Sequence, residues 1–569
     1  MSTKKSIKLI SSKKNSSILF SKVNKKQQQA IAEILASKIV SREDLADAKR
    51  LVAKKYGIDI LYNSEILKEY RRLRKQNKIP ELLILEKVLR KRVVRTMSGI
   101  APVAVLTEPF PCPGKCTYCP TEKDVPQSYL SNEPAVMRAI RCNYNPYQQV
   151  QLRLRALEAN GHKPTKIELI VIGGTWSVLP ENYKYWYILQ CFRAANKYWK
   201  KNSIFSSILR DQFLNNFQLP NFQFKKLKQQ LLVEQKKNES AKYKIIGITL
   251  ETRPDYINEK ELLEMRELGV TRVEMGVQAI DDKILELNKR GHGVKEIVDA
   301  TRLLKNFGFK VTYHIMPGLP GSTAKKDLDM FKSLFSDERF QPDQIKFYPT
   351  VVTQGSLLYK WWQEGKYKSY SDKVLQNLIV KCKEAVPQYV RIIRLIRDIP
   401  GESIFAGNKI TNLRQIMKDR GVKCQCIRCR EAKERQLTIT NYELSIIKYK
   451  ASGGEEYFIQ AVDKNDNSLY GFCRLRLSLQ NTKYKYNSKE GINTALIREL
   501  HVYGELVSIG QEKKIQHSGF GKMLMTEAEK IAKENNFKKI SVISGIGVRG
   551  YYRKLGYRLK DSYMVKSLI

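Results

Sequence analysis

Between residues 99 and 348, short apolar runs alternate with longer segments of helical spacing, and this alternation limits the possible fold more than any other feature. The runs are Val103 to Leu106, Ile167 to Ile172, Ile245 to Leu250, Val273 to Val277, Lys310 to Ile315 and Gln344 to Tyr348. Each precedes turn residues and then a helical stretch, the pattern of repeated β-α units that build a parallel sheet or partial barrel. In such barrels the chemistry gathers at the carboxyl ends of the strands. Those ends carry Gly173-Gly174-Thr175, Glu251-Thr-Arg253-Pro-Asp255, Gln278, and Met316-Pro-Gly-Leu-Pro-Gly321. Taken singly, a glycine pair is a turn and a Glu-x-Arg is a surface ion pair. As a series on successive strand ends they describe a site.

Just after the first strand comes Phe110-Pro-Cys112-Pro-Gly-Lys-Cys116-Thr-Tyr-Cys119-Pro120. Its C-x3-C-x2-C spacing lets three thiolates converge on one side of a loop. Three cysteines can hold three irons of a 4Fe-4S cubane and leave the fourth iron open to a small molecule. A zinc knuckle or part of a disulfide set is the alternative for the cysteines alone.

The chain has 569 residues, enough for three or four domains, and 102 Lys and Arg against 57 Asp and Glu give a net charge of +45. Such a charge favours a polyanionic partner, nucleic acid first, although a lysine-rich genome accounts for part of it. Six of the ten cysteines fall in two short runs, which argues against a disulfide scaffold and for a reducing cytoplasmic setting. There is no run of about eighteen apolar residues to span a membrane. The amino terminus lacks the apolar core of a secretory signal; residues 1–32 hold eight lysines and no acid, which reads as a basic arm.

Four regions follow. Residues 1–95 read as a basic helical region, with Ser41 to Asp44 as a capping box and basic stretches at Glu69 to Lys75 and Glu86 to Arg95. Residues 96–359 are the partial barrel, interrupted between Tyr198 and Lys244 by a polar excursion. Residues 360–436 read as a linker with a basic stripe at Arg391 to Arg397 and a second cysteine group, Cys424, Cys426 and Cys429. Three soft ligands so close suit tetrahedral zinc, with reduced structural thiols as the alternative. The fourth ligand is open between Cys382 and His314.

Residues 437–569 turn strand-rich. Leu437 to Tyr449, Tyr457 to Val462 and Tyr470 to Leu479 are expected strands; in the last, Cys473, Leu475 and Leu477 alternate with Arg474 and Arg476, as in a half-buried antiparallel strand. Then Gln516-His517-Ser518-Gly519-Phe520-Gly521-Lys522 leads into an amphipathic helix that presents Phe520, Leu524, Ala528 and Ile531 on one face. Free amides at such a glycine-rich helix start make a pyrophosphate cradle. Near the end stands Tyr551-Tyr552-Arg-Lys-Leu-Gly556-Tyr557.

The cysteine loop with its strand-end series closely resembles the radical S-adenosylmethionine (SAM) enzymes. The Q-x-x-G-x-G loop with the terminal tyrosines resembles the GCN5-related acetyltransferases. The pairing of the two resembles one family, the Elongator catalytic subunits and their stand-alone archaeal and bacterial relatives, which modify the wobble uridine of tRNA. This likeness runs from about residue 80 to the end. It includes Gln127-Ser-Tyr-Leu-Ser-Asn-Glu-Pro134, Met137-Arg-Ala-Ile140, Gly247 to Pro254, Gly291-His292, Lys346-Phe-Tyr-Pro349 and Arg498-Glu-Leu-His-Val-Tyr-Gly504.

The resemblance implies an α/β and α+β multidomain fold, a partial parallel barrel followed by an acetyltransferase domain. It implies that a SAM-derived radical and acetyl-CoA place a carboxymethyl group on carbon 5 of the uridine. Cys112, Cys116 and Cys119 would hold a 4Fe-4S cluster, and Gly173, Gly174, Glu251, Arg253 and Gln278 would bind SAM. Acetyl-CoA would meet Lys166, Glu499, Leu500, His501, Val502 and the 516–522 loop, with Tyr552, or Tyr551 beside it, donating a proton to the leaving thiolate. The implied partners are tRNA, held in part by residues 1–95, and an external electron donor, with a homodimer allowed. Two departures stand out: the compact cysteine spacing of a prokaryotic-type enzyme that needs no accessory subunits, and Thr121-Glu122 where many members carry Gly-Gly. The rival is a protein lysine acetyltransferase with a structural cluster; a tRNA-binding scaffold without activity is the third reading.

Overall fold

The structure is a computed structural model that describes residues 24–91, 99–197, 221–432, 441–478, 494–503 and 519–569. They fall in two compact units, one within Met1–Thr96 and Leu152–Pro164, the other within Met97–Gln151 and Thr165–Ile569. The basic arm expected at the amino terminus lies outside the described residues, except for its last part.

The first unit is helical, as its periodicity predicts: Lys25–Ala36, Arg42–Tyr56, Asn63–Lys75 and Leu83–Leu89. The expected capping box closes as read, Asp44 N donating to Ser41 Oγ at 3.0 Å and Ser41 N to Asp44 Oδ2 at 2.9 Å. Ile31, Ile34, Leu45, Val52, Ile66, Leu67, Leu85 and Leu89 form its core. On the helix Asn63–Lys75 the outward face carries exposed Lys68, Arg71, Arg72 and Lys75.

The second unit holds two seven-stranded sheets. The first is a parallel half-barrel in simple sequential order: β1 (Ala101–Leu106), β2 (Lys166–Ile172), β3 (Lys244–Thr252), β4 (Arg272–Gln278), β5 (Lys310–Ile315), β6 (Gln344–Phe347) and β7 (Arg391–Arg394). Six strands fall where the apolar runs predict. The seventh lies in the stretch read as a linker: Arg391 pairs with Gln344 in parallel register, so the basic stripe begins as a barrel strand. Four residues with two arginines carry too little apolar signal to announce a strand. Within the polar excursion, Asn221–Asn238 is a helix packed on Glu181–Asn196; residues 198–220 lie outside the described residues.

The second sheet contains β8 (Tyr442–Ala451), β9 (Gly454–Asp463), β10 (Leu469–Ser478), β11 (Thr494–Val502), β12 (Lys539–Val542), β13 (Arg558–Lys560) and β14 (Tyr563–Ser567), ordered β13-β14-β12-β11-β10-β9-β8. The helix Phe520–Glu534 lies on one face. Leu524, Ala528 and Ile531 meet Ile459, Cys473, Leu475 and Ile497 there, as the amphipathic pattern predicts.

The other face corrects the sequence reading of β10. Arg474 and Arg476 are fully buried, because that face is covered by the half-barrel rather than by water. Arg476 donates to Asn306 Oδ1 at 2.7 Å and to Glu456 Oε1 at 3.1 Å. Arg498 Nη1 reaches Asp343 Oδ1 and Glu456 Oε2, each at 3.0 Å. Lys305 Nζ stands 3.5 Å from Asp343 and 3.6 Å from Glu456, and Arg474 Nη1 is 3.7 Å from Asp343. Four buried cations thus share two buried carboxylates at the joint between the sheets. The contact is also close in the backbone: a Cβ on Gly545 would stand 1.9 Å from the carbonyl oxygen of Ile246 on β3.

Candidate active site

The first centre sits at the carboxyl ends of β1 to β4. The cysteine loop is pinned from both sides: Thr117 N donates to Asn288 O at 3.2 Å, Thr117 Oγ1 to Asn288 Oδ1 at 2.8 Å, and Leu358 N to Thr117 O at 2.8 Å. Arg290 Nη1 donates to Cys116 Sγ at 3.0 Å. A hydrogen bond from Cys119 and the Arg290 charge pull the Cys116 thiol down to about 5 against its burial, toward the thiolate form. Cys112 Sγ lies 3.8 Å from Thr175 Oγ1.

Around this loop are buried polar atoms without a hydrogen-bond partner among the described residues: Thr107 Oγ1, Arg253 Nη1 and Gln278 Oε1. Gly173 and Gly174 turn at φ +136° and +99°, and a Cβ on Gly173 would stand 2.0 Å from Thr107 Oγ1. Arg253 is aimed by Asp255, with Nε to Oδ1 at 3.0 Å and Nη2 to Oδ2 at 2.9 Å, and by Arg290 O at 2.6 Å. A side-chain-free turn beside three unsatisfied donors and acceptors fits a polar ligand such as SAM, and three thiols on one loop fit an iron-sulfur cluster.

Glu251 is tied more tightly than the sequence suggests. It accepts from Tyr129 OH at 2.7 Å and faces Lys346 Nζ at 3.6 Å. Lys346 also pairs with buried Glu274, which accepts from His314 Nε2 at 3.0 Å. One layer below, Arg272 bridges Glu168 at 2.7 Å and Gln344 at 3.1 Å and comes within 4.0 Å of Glu274. The barrel interior is therefore a charged ladder, Glu168, Arg272, Glu274, Lys346, Glu251, Tyr129, and not a packed aliphatic core. Lys346 and its neighbours hold the Glu274 carboxyl well below the usual range against its burial.

The second centre lies at the opposite, amino end of the barrel strands. β11 pairs in parallel with β12 only over Thr494–Ile497 and then runs on to Val502 with β10 alone. That parting leaves the β12 side of Arg498 to Val502 without a strand partner among the described residues. Leu500 and Val502 pack toward the helix Phe520–Glu534, while Glu499 and His501 face the barrel. Glu499 is held by Lys310 at 3.4 Å and Arg474 at 3.0 Å. His501 stacks on Phe472 and leans on Tyr503 at 4.4 Å, with Nε2 buried and without a partner among the described residues. Burial brings its pKa down to about 3, assisted by Arg391, Lys310 and Lys166, so the ring is neutral. Burial, with nearby Lys244, also lowers the half-buried Lys166.

Gly519 caps the helix at φ +88°, Phe520 is buried against Tyr442 and Tyr470, and Lys522 is exposed. Gln516, His517 and Ser518 lie outside the described residues. The two tyrosines differ. Tyr552 is in the core among Ile497, Leu524 and Tyr557, whereas Tyr551 is 39% exposed with its hydroxyl 2.6 Å from where a Gly521 Cβ would stand. The parted strands, the orphan His501 nitrogen and the glycine helix start fit a thioester carrier such as acetyl-CoA.

Cys424, Cys426 and Cys429 bring their sulfurs within 4.8 Å of one another, a donor set that suits zinc. Neither expected fourth ligand joins them. His314 is bound to Glu274 inside the barrel, and Cys382 lines a small cavity with Phe331, Ile345 and Phe347; Lys383 Nζ lies 3.8 Å from Cys429 Sγ instead.

Sequence reasoning missed Arg290, Thr107, Tyr129, Glu274 and Lys310. Tyr129 lies within the recognised motif Gln127 to Pro134, whereas Arg290 stands one residue before Gly291-His292 and outside it. Lys310 and Thr107 carried no signal.

Family models for the Radical SAM superfamily, the Radical_SAM C-terminal domain and the Acetyltransferase (GNAT) family match residues 111–334, 342–421 and 427–557. The chain is 42% identical over 487 residues to a tRNA uridine(34) acetyltransferase of Dehalococcoides mccartyi, covering 84% of this chain and 100% of that protein. It is 42% identical over 542 residues to a protein of the same name from Methanocaldococcus jannaschii, covering 92% and 93%. It is 36% identical over 554 residues to Elongator complex protein 3 of Homo sapiens, again covering 92% and 93%. The solved structure of archaeal Methanocaldococcus infernus Elp3 with an N-terminal deletion matches with a TM-score of 0.68 and 38% identity, over 83% of this chain and 100% of that one.

Proposed function

The chain belongs to the family of tRNA uridine(34) acetyltransferases and Elongator complex protein 3, and from that membership we propose that it modifies the wobble uridine of tRNA, adding a carboxymethyl group to carbon 5. When bound, a 4Fe-4S cluster with SAM supplies radical chemistry and acetyl-CoA supplies the carbon unit. The observation that carries the reading is that one compact unit holds both centres at opposite ends of a single charged barrel.

The residues divide the work as follows. Cys112, Cys116 and Cys119 would hold the cluster, with Arg290 keeping Cys116 as a thiolate. Thr107, Arg253 and Gln278 would satisfy the amino-acid and ribose groups of SAM over Gly173 and Gly174, while Glu251 works through Tyr129 and Lys346. His501, Lys166 and the start of the helix Phe520–Glu534 would hold acetyl-CoA. Tyr551, whose hydroxyl lies at that helix start, is better placed than buried Tyr552 to hold a proton for the departing thiolate. The exposed basic face of the helix Asn63–Lys75 would hold the tRNA backbone. Zinc on Cys424, Cys426 and Cys429 would brace the segment after β7 and play no part in chemistry; metal analysis of wild type and Cys426→Ser tests this.

Lysine acetylation is not favoured, since the names of the relatives concern a tRNA uridine. An anaerobic reaction analysed by nucleoside mass spectrometry decides. Carboxymethyluridine is expected only with SAM, reductant, acetyl-CoA and tRNA together, and Cys116→Ala is expected to abolish it. Acetylation of a lysine peptide without SAM, and no modified nucleoside, would overturn the proposal.

A further inference from the structure

Beside the cysteine loop lies a cluster of aromatic side chains that no step above uses. The short helix Leu357–Gln363 carries Tyr359 and Trp362, and a neighbouring turn carries Phe405. The rings touch pairwise: Tyr359 and Phe405 at 4.8 Å edge-on, Tyr359 and Trp362 at 5.8 Å, Trp362 and Phe405 at 6.3 Å. Phe405 is 42% exposed, and both Trp362 and Tyr359 are only part-buried. Rings gathered in this way usually close a core; here one side of the group stays open.

Backbone bonds fix the patch to the first centre. Leu358 N donates to Thr117 O at 2.8 Å, between Cys116 and Cys119, and Thr121 N donates to Gly355 O at 3.1 Å. A Cβ on Gly355, at φ +82°, would meet Thr121 O at 2.8 Å, so helix and loop touch through their main chains. Phe405 N donates to Val352 O at 2.9 Å, which binds the turn to the same segment. The helix itself carries exposed Lys360, and the chain segments flanking it, Phe405 and the cysteine loop carry exposed Lys115, Lys123, Lys366, Lys368 and Lys409 against exposed Asp124, Glu364 and Glu402. Glu364 is already paired with Lys366 at 2.8 Å.

Open aromatic faces inside a lysine-rich rim match the unpaired bases and phosphates of single-stranded RNA. Bases stack on rings whatever their identity, while the ammonium groups follow the backbone. A paired RNA stem offers phosphates but no free base faces. We propose that Tyr359, Trp362 and Phe405 form a stacking platform for unpaired anticodon-loop bases next to the target uridine. The proposal rests on the tRNA reading above.

The test uses the full chain and an anticodon stem-loop RNA with 2-aminopurine next to the target uridine; a fully paired hairpin of equal length is the control. Stacking on wild type should quench the 2-aminopurine, a readout independent of any variant. Trp362→Leu and Phe405→Leu keep an apolar side chain but remove the ring. Each should weaken stem-loop binding roughly tenfold and reduce the quenching, with hairpin binding and thermal midpoint unchanged, while Phe405→Tyr behaves as wild type. Wild-type affinity and quenching in both leucine variants would overturn the platform and leave the tRNA reading intact. So would a concentration-dependent self-association that the leucine variants abolish, since a second copy would then be the occupant. Failure of wild type to bind either RNA would overturn the tRNA reading itself, and the platform with it.

Discussion

Lys305 is the surplus cation of the buried joint, and replacing it with methionine should stabilise the protein. Its ammonium is fully buried, 3.5 Å from Asp343 and 3.6 Å from Glu456, but Arg498 and Arg476 already claim those carboxylates. Burial first, with Arg498 and Arg476 adding, lowers its pKa to about 8 despite the two acids. An unfolded lysine titrates near 10.4, so the native state binds this proton more weakly; the charge costs stability below about pH 8, and stability is regained as pH rises from 8 to about 10.4. The gap is worth about 3 kcal/mol, within the range of about 1–4 kcal/mol seen when buried ions give way to apolar isosteres. Lys305→Met should therefore raise the urea midpoint of tryptophan fluorescence at pH 7, and the gain should shrink toward zero above pH ~10. Asp343→Asn should do the opposite, because it leaves Arg498, Lys305 and Arg476 on the single carboxylate of Glu456 and Arg474 with Glu499 alone, a loss of about 3–5 kcal/mol. Asp343 is held far below the carboxylate range, so this loss is fully expressed at pH 7 and fades only as the pH falls below about 4. If Lys305→Met lowers the midpoint at pH 7 as Asp343→Asn does, the lysine is a required counter-charge and the reasoning is wrong.

Gly173→Ala forces a side chain at φ +136° into Thr107, so calorimetry should show SAM affinity falling at least ~tenfold with acetyl-CoA affinity unchanged. Tyr551→Phe should slow thioester turnover about 100-fold, while Tyr552→Phe should leave it within a few-fold of wild type; equal effects would assign the proton to the core tyrosine. His501 is buried neutral with its pKa near 3, so the unfolded chain takes up that proton first as pH falls below about 6.5. Stability from this source should drop on the order of 4 kcal/mol between there and pH 3, and His501→Gln should flatten that part of the acid-unfolding curve.

The half-barrel was legible because six of its strands are apolar and each is punctuated at its carboxyl end by glycine, proline, acid or, on β4, Gln278. The capping box at Ser41 and the apolar face of the helix Phe520–Glu534 were equally plain, since both depend on residues three or four apart. Reading failed where the deciding partner is remote. Period two marks Arg474 and Arg476 as the polar side of a strand, but only Asp343 and Asn306, far away in sequence, show that this side is buried. The same limit hid β7, whose arginine-rich stretch becomes a strand by pairing with Gln344, and it left the fourth zinc ligand between two residues that both serve elsewhere. In the candidate site the three cysteines of the loop and the paired glycines were visible as spacing. Arg290, Thr107 and Lys310 were not, because one hydrogen bond or one ion pair in space leaves no periodic trace.

The joint between the two sheets also bears on how such a chain can change. Arg474, Arg476 and Arg498 belong to one half, Asp343, Lys305 and Asn306 to the other, and Glu456, within the first, pairs with Arg476, Arg498 and Lys305. Severed between them, each half would carry its share of bare charge on a newly wetted surface. The acetyltransferase half is thus not an interchangeable module: a graft from another protein would have to bring counter-ions matched to Asp343 and Lys305. Substitutions at these positions should be inherited as sets, and the two catalytic halves should descend as one unit rather than by shuffling.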